Sequence, residues 1–576
     1  MKGRNRKKNY PHYETTKFSD FREMTENVAE KYPDKVAFKY KTDPRDKEPK
    51  AITFAESRDY IRALATELHS MNVEGKKIAL IGTASIEWFF SYVAIMSVGA
   101  ITVPIDKELP SDDIASIVNT SSAEYIFFTD KIYEKIAEVK SKTDSVNMLV
   151  SMGGEIEGAI ALSEIKSNGE KKLMDGDRSW FDYKIDNERL ASIVFTSGTT
   201  GKGKGVMLSL KNICSDMELG MYNFQITERT LFALPPHHTF GSTVNFIGHF
   251  AQGCEVYISS GIRHILDELK LFKPTHLILV PLFVETFYKK IMATAEKTGK
   301  LQTLRRGIAI SNALRKVGID LRSRLFGSSV LSNFGGELQM IICGGAALNP
   351  AIIDFFESIG VIILNGYGIT ECAPLISCNR NECRKAGSVG MPIVSGEVKI
   401  ANPNDAGEGE ICYRGPNVML GYFNDEDATR AVIDEDGFFH TGDLGYVKHI
   451  DDDDWIYITG RSKNLIILSN GKNVYPEEIE TDIQGIYGVG EVVVYEGVSR
   501  SDESNKQIVA EIFPDFDALK LHNIENVQAY FEEEIKKVNA KNVSYKAVTK
   551  IKIRNEEFIK NTSRKIMRFK IDKTFD

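Results

Sequence analysis

Thr196-Ser197-Gly198-Thr199-Thr200-Gly201-Lys202-Gly203-Lys204-Gly205-Val206 follows an apolar run, Ala191 to Phe195, that reads as a buried strand. Four glycines, four hydroxyl residues and two lysines share these eleven positions. Glycines let backbone N–H groups converge on one point, hydroxyls add donors and lysines neutralise charge, which together is the chemistry of a polyphosphate site. Gly198-x-x-x-x-Gly203-Lys204 meets the first seven positions of a Walker A loop. The eighth, position 205, is Gly where that loop needs a hydroxyl for Mg²⁺, so a P-loop kinase or ATPase loses its metal ligand here. The competing reading, a flexible surface loop, has to explain why the loop follows directly on an apolar strand.

Working outward, 576 residues are too many for one core, so several subdomains and at least one smaller domain are expected. Hydrophobic residues at 42% and charged residues at 26% are ordinary for a globular protein, and a net charge of -8 gives no general case for nucleic acid. Seven scattered cysteines suit a reduced cytoplasm better than a disulfide framework, and Cys372, Cys378 and Cys383 lack the C-x-x-C pairing of a metal site. The N-terminal basic residues have no apolar stretch behind them, so they do not form a secretory signal. Trp88 to Ile105 runs eighteen residues without a charge, near the lower limit for a membrane span, but Gly99 and Pro104 divide it into a buried helix over 85–98 and a strand over 100–105.

Short apolar runs at 76–82, 100–105 and 125–129 alternate with helix-length segments, the signature of βαβ units in a parallel sheet. Further strands are expected at 275–281, 339–343 and from Val361. The last runs into Asn365-Gly-Tyr367-Gly368-Ile-Thr370-Glu371, which puts a glycine turn, an aromatic ring and a carboxylate at a strand end, where ligands sit in open α/β sheets. Leu234-Pro-Pro-His-His-Thr-Phe-Gly241 ends another strand, and its His pair reads best as a pocket wall. After Gly387 glycine-punctuated short strands indicate an antiparallel or barrel-like subdomain, with a hairpin turn at 451–454. From Asn464 a smaller domain is expected, with strands at 491–495 and 507–513 and a helix over 527–538. The fold class is therefore α/β: a large multi-subdomain N-terminal region (1–462) with parallel βαβ sheets and a barrel-like subdomain, and a small α+β C-terminal domain (463–576).

Thr196-Ser-Gly-Thr-Thr-Gly-x-x-Lys-Gly, Asn365-Gly-Tyr-Gly-Ile-Thr-Glu371, Thr441-Gly-Asp443 and Gly460-Arg-Ser-Lys463, in this order over most of the chain, resemble the adenylate-forming (AMP-binding) enzymes. Val280-Pro281, the long segment up to Gly344-Gly345, and Lys385-x-Gly-Ser-Val-Gly-Met-Pro392 are most similar to bacterial long-chain fatty-acyl-CoA synthetases. The resemblance implies a two-step ligase. A carboxylate attacks the α-phosphate of Mg-ATP to give acyl-AMP and pyrophosphate, and the thiol of CoA then displaces AMP. It implies that Thr199, Thr200 and Gly201 hold the β- and γ-phosphates, with Thr196, Ser197, Gly198, Lys204 and Gly368 also in the ATP site, that Glu371 holds Mg²⁺, and that Gly345, Ala346, Asn365 and Tyr367 surround adenine. Thr370 would touch the α-phosphate, Asp443 would bind the ribose with Arg461 assisting, His238 would lie near the reacting carboxylate, and Lys565 would stabilise charge at the α-phosphate. Lys463 would be the pivot of the smaller domain. No general base is needed, because a fatty carboxylate is already ionised near neutral pH.

The chain departs from the family at two places. Gly203 stands where Pro is usual. The usual Pro-x-Thr-x-x-Gly-Lys appears as Ile559-Lys-Asn-Thr-Ser-Arg-Lys565, without its Pro, Thr and Gly. Lys560 is thereby a rival for the role of Lys565. Alternative readings are a ligase loading an acyl carrier protein, which would be a separate chain, a CoA ligase for an aryl or medium-chain acid, and a nucleotide-binding regulator. The segment 289–324 carries ten basic residues against Glu296 and Asp320, a local balance of +8, and is a candidate for peripheral contact with anionic lipid at the inner face of the membrane.

Overall fold

The computed structural model describes residues 12–196, 203–451, 453–468, 472–502, 504–560 and 565–575. Two large sheets form the N-terminal region. The first orders its strands as Gly421–Tyr422, Lys204–Ser209, Leu190–Thr196, Ile101–Ile105, Lys77–Ile81, Tyr125–Phe128, Met148–Ser151 and Ile160–Ala161. The second runs Met391–Pro392, Leu375–Cys378, Ile362–Gly368, Met340–Cys343, His276–Leu279, Arg229–Phe232, Glu255–Ile258, Val36–Tyr40 and Lys50–Thr53. Both have parallel centres, as the alternation of short apolar runs and helices requires, but both are mixed sheets with antiparallel strands at their edges.

Strands buried on both faces explain why the runs are apolar throughout rather than alternating. In Lys77–Ile81, Ile78 and Leu80 enter the central core between the sheets, whereas Ala79 and Ile81 face the outer helices Ser111–Ser121 and Tyr133–Ser141. The central core is filled by the helix Ile86–Ser97, buried along nearly its whole length. The Ser85 side chain caps its start by accepting from the Trp88 N–H, and Gly99 at φ 73 turns the chain into the next strand. This resolves the uncharged stretch 88–105: among the described residues no helix is long and apolar enough to cross a membrane. Phe89 stacks on Phe246 at 4.1 Å and meets Phe232 edge-on at 4.9 Å, which ties the helix to the second sheet.

The glycine-rich segment after Gly387 takes the antiparallel of its two expected forms, a four-stranded sheet of Glu397–Ala401, Gly409–Arg414, Phe439–Ile450 and Asp453–Arg461. The last two strands form a hairpin that turns at the acidic run. The separate C-terminal domain pairs Lys550–Ile553, Lys506–Pro514, Val489–Ser499 and Thr574–Phe575 in that order, and buries Val494, Ala510, Ile512, Phe531 and Ile535 in a core of its own. It meets the larger region where the Lys289 ammonium donates to the Val489 carbonyl (3.2 Å) and His522 Nε2 lies 3.0 Å from Glu296. Part of the basic segment 289–324 is thus engaged within the protein, and Arg322 is likewise held by Asp320 and the Glu357 carbonyl.

Deleting the Phe89 ring opens a cavity among four aromatic partners, Phe38, Trp88, Phe232 and Phe246. Phe89→Ala is expected to lower the stability of the larger region by about 3–5 kcal/mol. Replacing the exposed Met174 by Ala should change it by under about 0.5 kcal/mol. Urea-melting midpoints of the two variants check the contrast.

Candidate functional site

The loop 197–202 joins two antiparallel strands, Leu190–Thr196 and Lys204–Ser209, in register Thr196↔Lys204. A P-loop would run from a strand into a helix, so the pairing excludes that geometry independently of position 205. Ser197, Gly198, Thr199, Thr200 and Gly201 lie outside the described residues. At the base of the hairpin the Thr196 hydroxyl donates to the Lys204 carbonyl (3.4 Å), and a Cβ on Gly203 would lie only 2.7 Å from the Thr196 carbonyl oxygen. Lys204 reaches over the ring of Tyr422, its ammonium 4.6 Å from the centroid.

Tyr422 links this hairpin to the carboxylate of the second motif. It lies on the short strand that pairs with Lys204–Ser209, and its hydroxyl donates to Glu371 Oε1 at 2.9 Å. Burial, then the neighbouring Glu371, pushes the phenol far above its ordinary value, so it remains a donor. Glu371 sits in a one-turn helix, Thr370–Cys372, just past the end of the Ile362–Gly368 strand. The loop is pinned from beneath: the Met419 N–H donates to the Glu371 carbonyl (2.8 Å), Asn417 Nδ2 to the Cys372 carbonyl (2.7 Å), and the Leu375 N–H to Asp216 Oδ1 (2.7 Å). Asp216 is fully buried on the helix Leu210–Met221, and burial raises its carboxyl well above the usual range.

Tyr367, near the end of the same strand, donates its hydroxyl to Asp443 Oδ2 at 2.8 Å. Arg461 Nε lies 2.9 Å from Asp443 Oδ1, because Asp443 and Arg461 are directly opposed on the hairpin Phe439–Ile450/Asp453–Arg461. Asp443 is 4% exposed, so two charge-assisted bonds replace its hydration. Asn365 and Gly345 stand at the ends of adjacent parallel strands, with Gly345 at φ 88, a left-handed conformation that favours glycine. Ala346 follows it and is exposed; Gly368 and Thr370 are half-buried between the Tyr367 and Glu371 elements.

Three cations approach the two carboxylates. Burial and then Arg461 push the Lys565 ammonium below its ordinary value, while Asp443 opposes them. Lys463, in a short turn over Ser462–Asn464, is depressed by burial and by Arg461 and supported by Asp443 and Glu371. The residue singled out as a pivot therefore also turns its charge towards the site. His238 is pushed down to about 3, first by burial, then by His237 and Lys565, so its imidazole is neutral at any physiological pH. His237 stands 3.5 Å from Asp106. Lys560, the rival lysine, is paired with Glu491 and with Glu557 (2.7 Å), and no pull from Asp443 or Arg461 is among the influences on it.

The structure thus gathers Glu371, Asp443, Arg461, Tyr367, His238, Lys463 and Lys565 in one cleft, from elements spread over the whole chain. Sequence reasoning missed Tyr422, Asn417 and Asp216. The signal available was faint: Asp216 looks like one polar position of an amphipathic helix, and Tyr422 like one aromatic after a glycine.

The chain is similar to several known proteins. The chain is 29% identical over 524 residues to the long-chain-fatty-acid–[acyl-carrier-protein] ligase AEE15 of Arabidopsis thaliana, covering 78% of this chain and 71% of that one. It is 29% identical over 464 residues to the long-chain-fatty-acid–CoA ligase FadD15 of Mycobacterium bovis, covering 77% and 75%. Among solved structures, o-succinylbenzoate CoA synthetase of Bacillus subtilis, in complex with ATP and magnesium ion, superposes with a TM-score of 0.70 at 21% identity over 95% of this chain and 98% of that one. The AMP-binding enzyme family model matches residues 25–423, and the chain belongs to that family.

Proposed function

We propose that the protein is an AMP-forming ligase that activates a long-chain fatty acid as acyl-AMP and passes it to CoA. The observation that carries this reading is the approach of Lys565 to Asp443, Arg461 and His238 while Lys560 is held elsewhere by two glutamates. Adenylyl transfer asks little covalent help from protein and a great deal of placed positive charge around spreading oxyanion charge. Named relatives that act on long-chain fatty acids support the substrate class.

In this reading Asp443 accepts the ribose hydroxyls, fixed by Tyr367 and Arg461. Adenine lies against Gly345, Ala346, Asn365, Tyr367 and Gly368. Lys204 and the hydroxyl residues Thr196, Ser197, Thr199 and Thr200, with Gly198 and Gly201, serve the β- and γ-phosphates. Thr370 and Lys565 meet the α-phosphate. Glu371 suits Mg²⁺: it is a hard oxygen donor with Oε1 steadied by Tyr422, and one carboxylate plus substrate phosphates is the usual protein share of such a site. There Mg²⁺ would neutralise phosphate charge as pyrophosphate leaves. Neutral His238 shapes the wall beside the reacting carboxylate, so no histidine titration from it should enter the pH profile. A carrier protein in place of CoA, or an aryl or medium-chain acid, is the alternative. A panel of acids from acetate to oleate, assayed by pyrophosphate–ATP exchange and then with CoA or carrier protein as acceptor, decides among them.

The domain boundary is proposed at 462/463. Lys565 should matter while pyrophosphate leaves and much less when thiol attacks an adenylate already formed. Lys565→Ala is expected to slow adenylation by about 10²–10³ and leave thioester formation from supplied acyl-AMP near normal, with Lys560→Ala mild in both. An adenylation defect in Lys560→Ala, or equal losses in both steps for Lys565→Ala, overturns the assignment.

For Lys463, backbone and charge must be separated, since its ammonium also faces Glu371. Lys463→Pro fixes φ and should slow thioester formation several-fold more than Lys463→Gln, which removes only the charge. Equal effects remove the pivot role.

Peripheral lipid contact is proposed for the outer part of the basic segment, where Arg305, Arg306 and Lys316 share an exposed surface with Ile310 (57% exposed), Val317 (73%) and Ile319 (47%). Sedimentation with anionic vesicles at low salt should capture the wild type and lose the Arg305→Glu/Arg306→Glu variant. No capture of the wild type ends this reading.

A further inference from the structure

The antiparallel sheet behind Asp443 carries a cluster with no part in adenylation. Glu410 and Cys412 lie two residues apart on the Gly409–Arg414 strand and so share one face, and His440 is the direct cross-strand partner of Cys412. His440 Nδ1 is 2.9 Å from Glu410 Oε2 and 3.5 Å from Cys412 Sγ. All three ligand atoms lie within 4.8 Å of one another. On the other side of the ring, Nε2 stands 3.5 Å from Asp434 Oδ2, and Asp434 is paired with Lys399 at 2.7 Å.

We infer that Glu410, Cys412 and His440 form a zinc-class site, a three-ligand N/O/S face whose fourth ligand would be water. Tetrahedral Zn²⁺ with ordinary bond lengths separates nitrogen and sulfur ligands by about 3.6 Å and nitrogen and oxygen ligands by about 3.4 Å. The observed 3.5 Å already meets the first, and the second needs Glu410 Oε2 to withdraw by roughly half an ångström. Charge also balances. Glu410 and a Cys412 thiolate neutralise the ion, while Lys399 and Asp434 neutralise each other. On binding, the Cys412 thiol gives its proton to solvent, and the His440 proton moves from Nδ1 to Nε2, where Asp434 receives it. This is the carboxylate–histidine–metal arrangement that orients a ligand imidazole. The ion takes Glu410 Oε2, leaving Oε1 to accept from the Gly442 N–H (2.9 Å), so the support beneath Asp443 persists.

A second His/Cys trio, His249, Cys254 and His276, is a poorer host. Its two Nε2 atoms are hydrogen-bonded at 2.7 Å, His249 Nδ1 serves the Val244 carbonyl, His276 Nδ1 meets the Thr227 hydroxyl, and both rings are fully buried. Every ring nitrogen there already has a partner in an unbroken neutral chain.

Titration of the chelator-stripped full chain with Co²⁺ tests the site. One Co²⁺ per chain should bind with a thiolate-to-metal charge-transfer band and tetrahedral d–d bands, both abolished by added Zn²⁺. Cys412→Ser should lose the charge-transfer band, Glu410→Gln, whose amide oxygen can still accept from Gly442, should weaken binding at least tenfold, and Asp434→Asn should weaken it about 10–100-fold. Cys254→Ser should bind like wild type. Absence of the band in wild type, its survival in Cys412→Ser, or its loss in Cys254→Ser with Cys412→Ser unaffected overturns the proposal.

Discussion

Asp443 is a buried carboxylate held by two partners from two sheets, and the geometry of the cleft depends on it. Tyr367 reaches it from the end of a parallel strand and Arg461 from across an antiparallel hairpin. An ionised carboxylate this dry costs several kcal/mol to bury, so either partner alone would leave it poorly compensated. The two bonds therefore fix the antiparallel sheet against the second large sheet, and with it the position of Lys463 and of the chain leading into the C-terminal domain.

The surroundings are electrostatically unfinished. Arg461, Lys463 and Lys565 crowd Asp443 and Glu371, and both lysines are pushed towards deprotonation by burial and by the arginine. A polyanion entering the cleft relieves that repulsion. The strands that flank residues 197–202 pair antiparallel, so the chain does not pass from strand to helix there as it does in a P-loop. Tyr422 lies under the Lys204 ammonium and donates its hydroxyl to Glu371. The Lys204 strand and the Glu371 carboxylate are thus linked through one aromatic ring.

Much of this was legible in the sequence, for identifiable reasons. Strands buried on both faces leave uninterrupted apolar runs, so the segments at 77–81, 101–105, 125–128 and 340–343 were found within a residue or two. Tyr367 and Glu371 stood out because a glycine turn at a strand end marks them, whereas Asp443 and Arg461 were singled out only by the family resemblance. What could not be read was pairing over distance. The antiparallel partner of the phosphate strand, the Asp216–Asn417 support and the Tyr422–Glu371 bond each join residues remote in sequence, and no local periodicity encodes them. The C-terminal lysine was ambiguous for a related reason: Lys560 and Lys565 look alike along the chain and differ only in what surrounds them in space.

The buried helix Ile86–Ser97 has a consequence for how the chain is made. Its aromatic partners Phe232, on the second sheet, and Phe246, on the helical segment Phe240–Ile247, come later in the chain, so Phe89 is synthesised well over a hundred residues before them. At ribosomal rates of 5–20 residues per second this leaves the Phe89 ring without these two partners for roughly 7–30 s. During that interval the nascent chain displays an apolar surface that the folded protein buries.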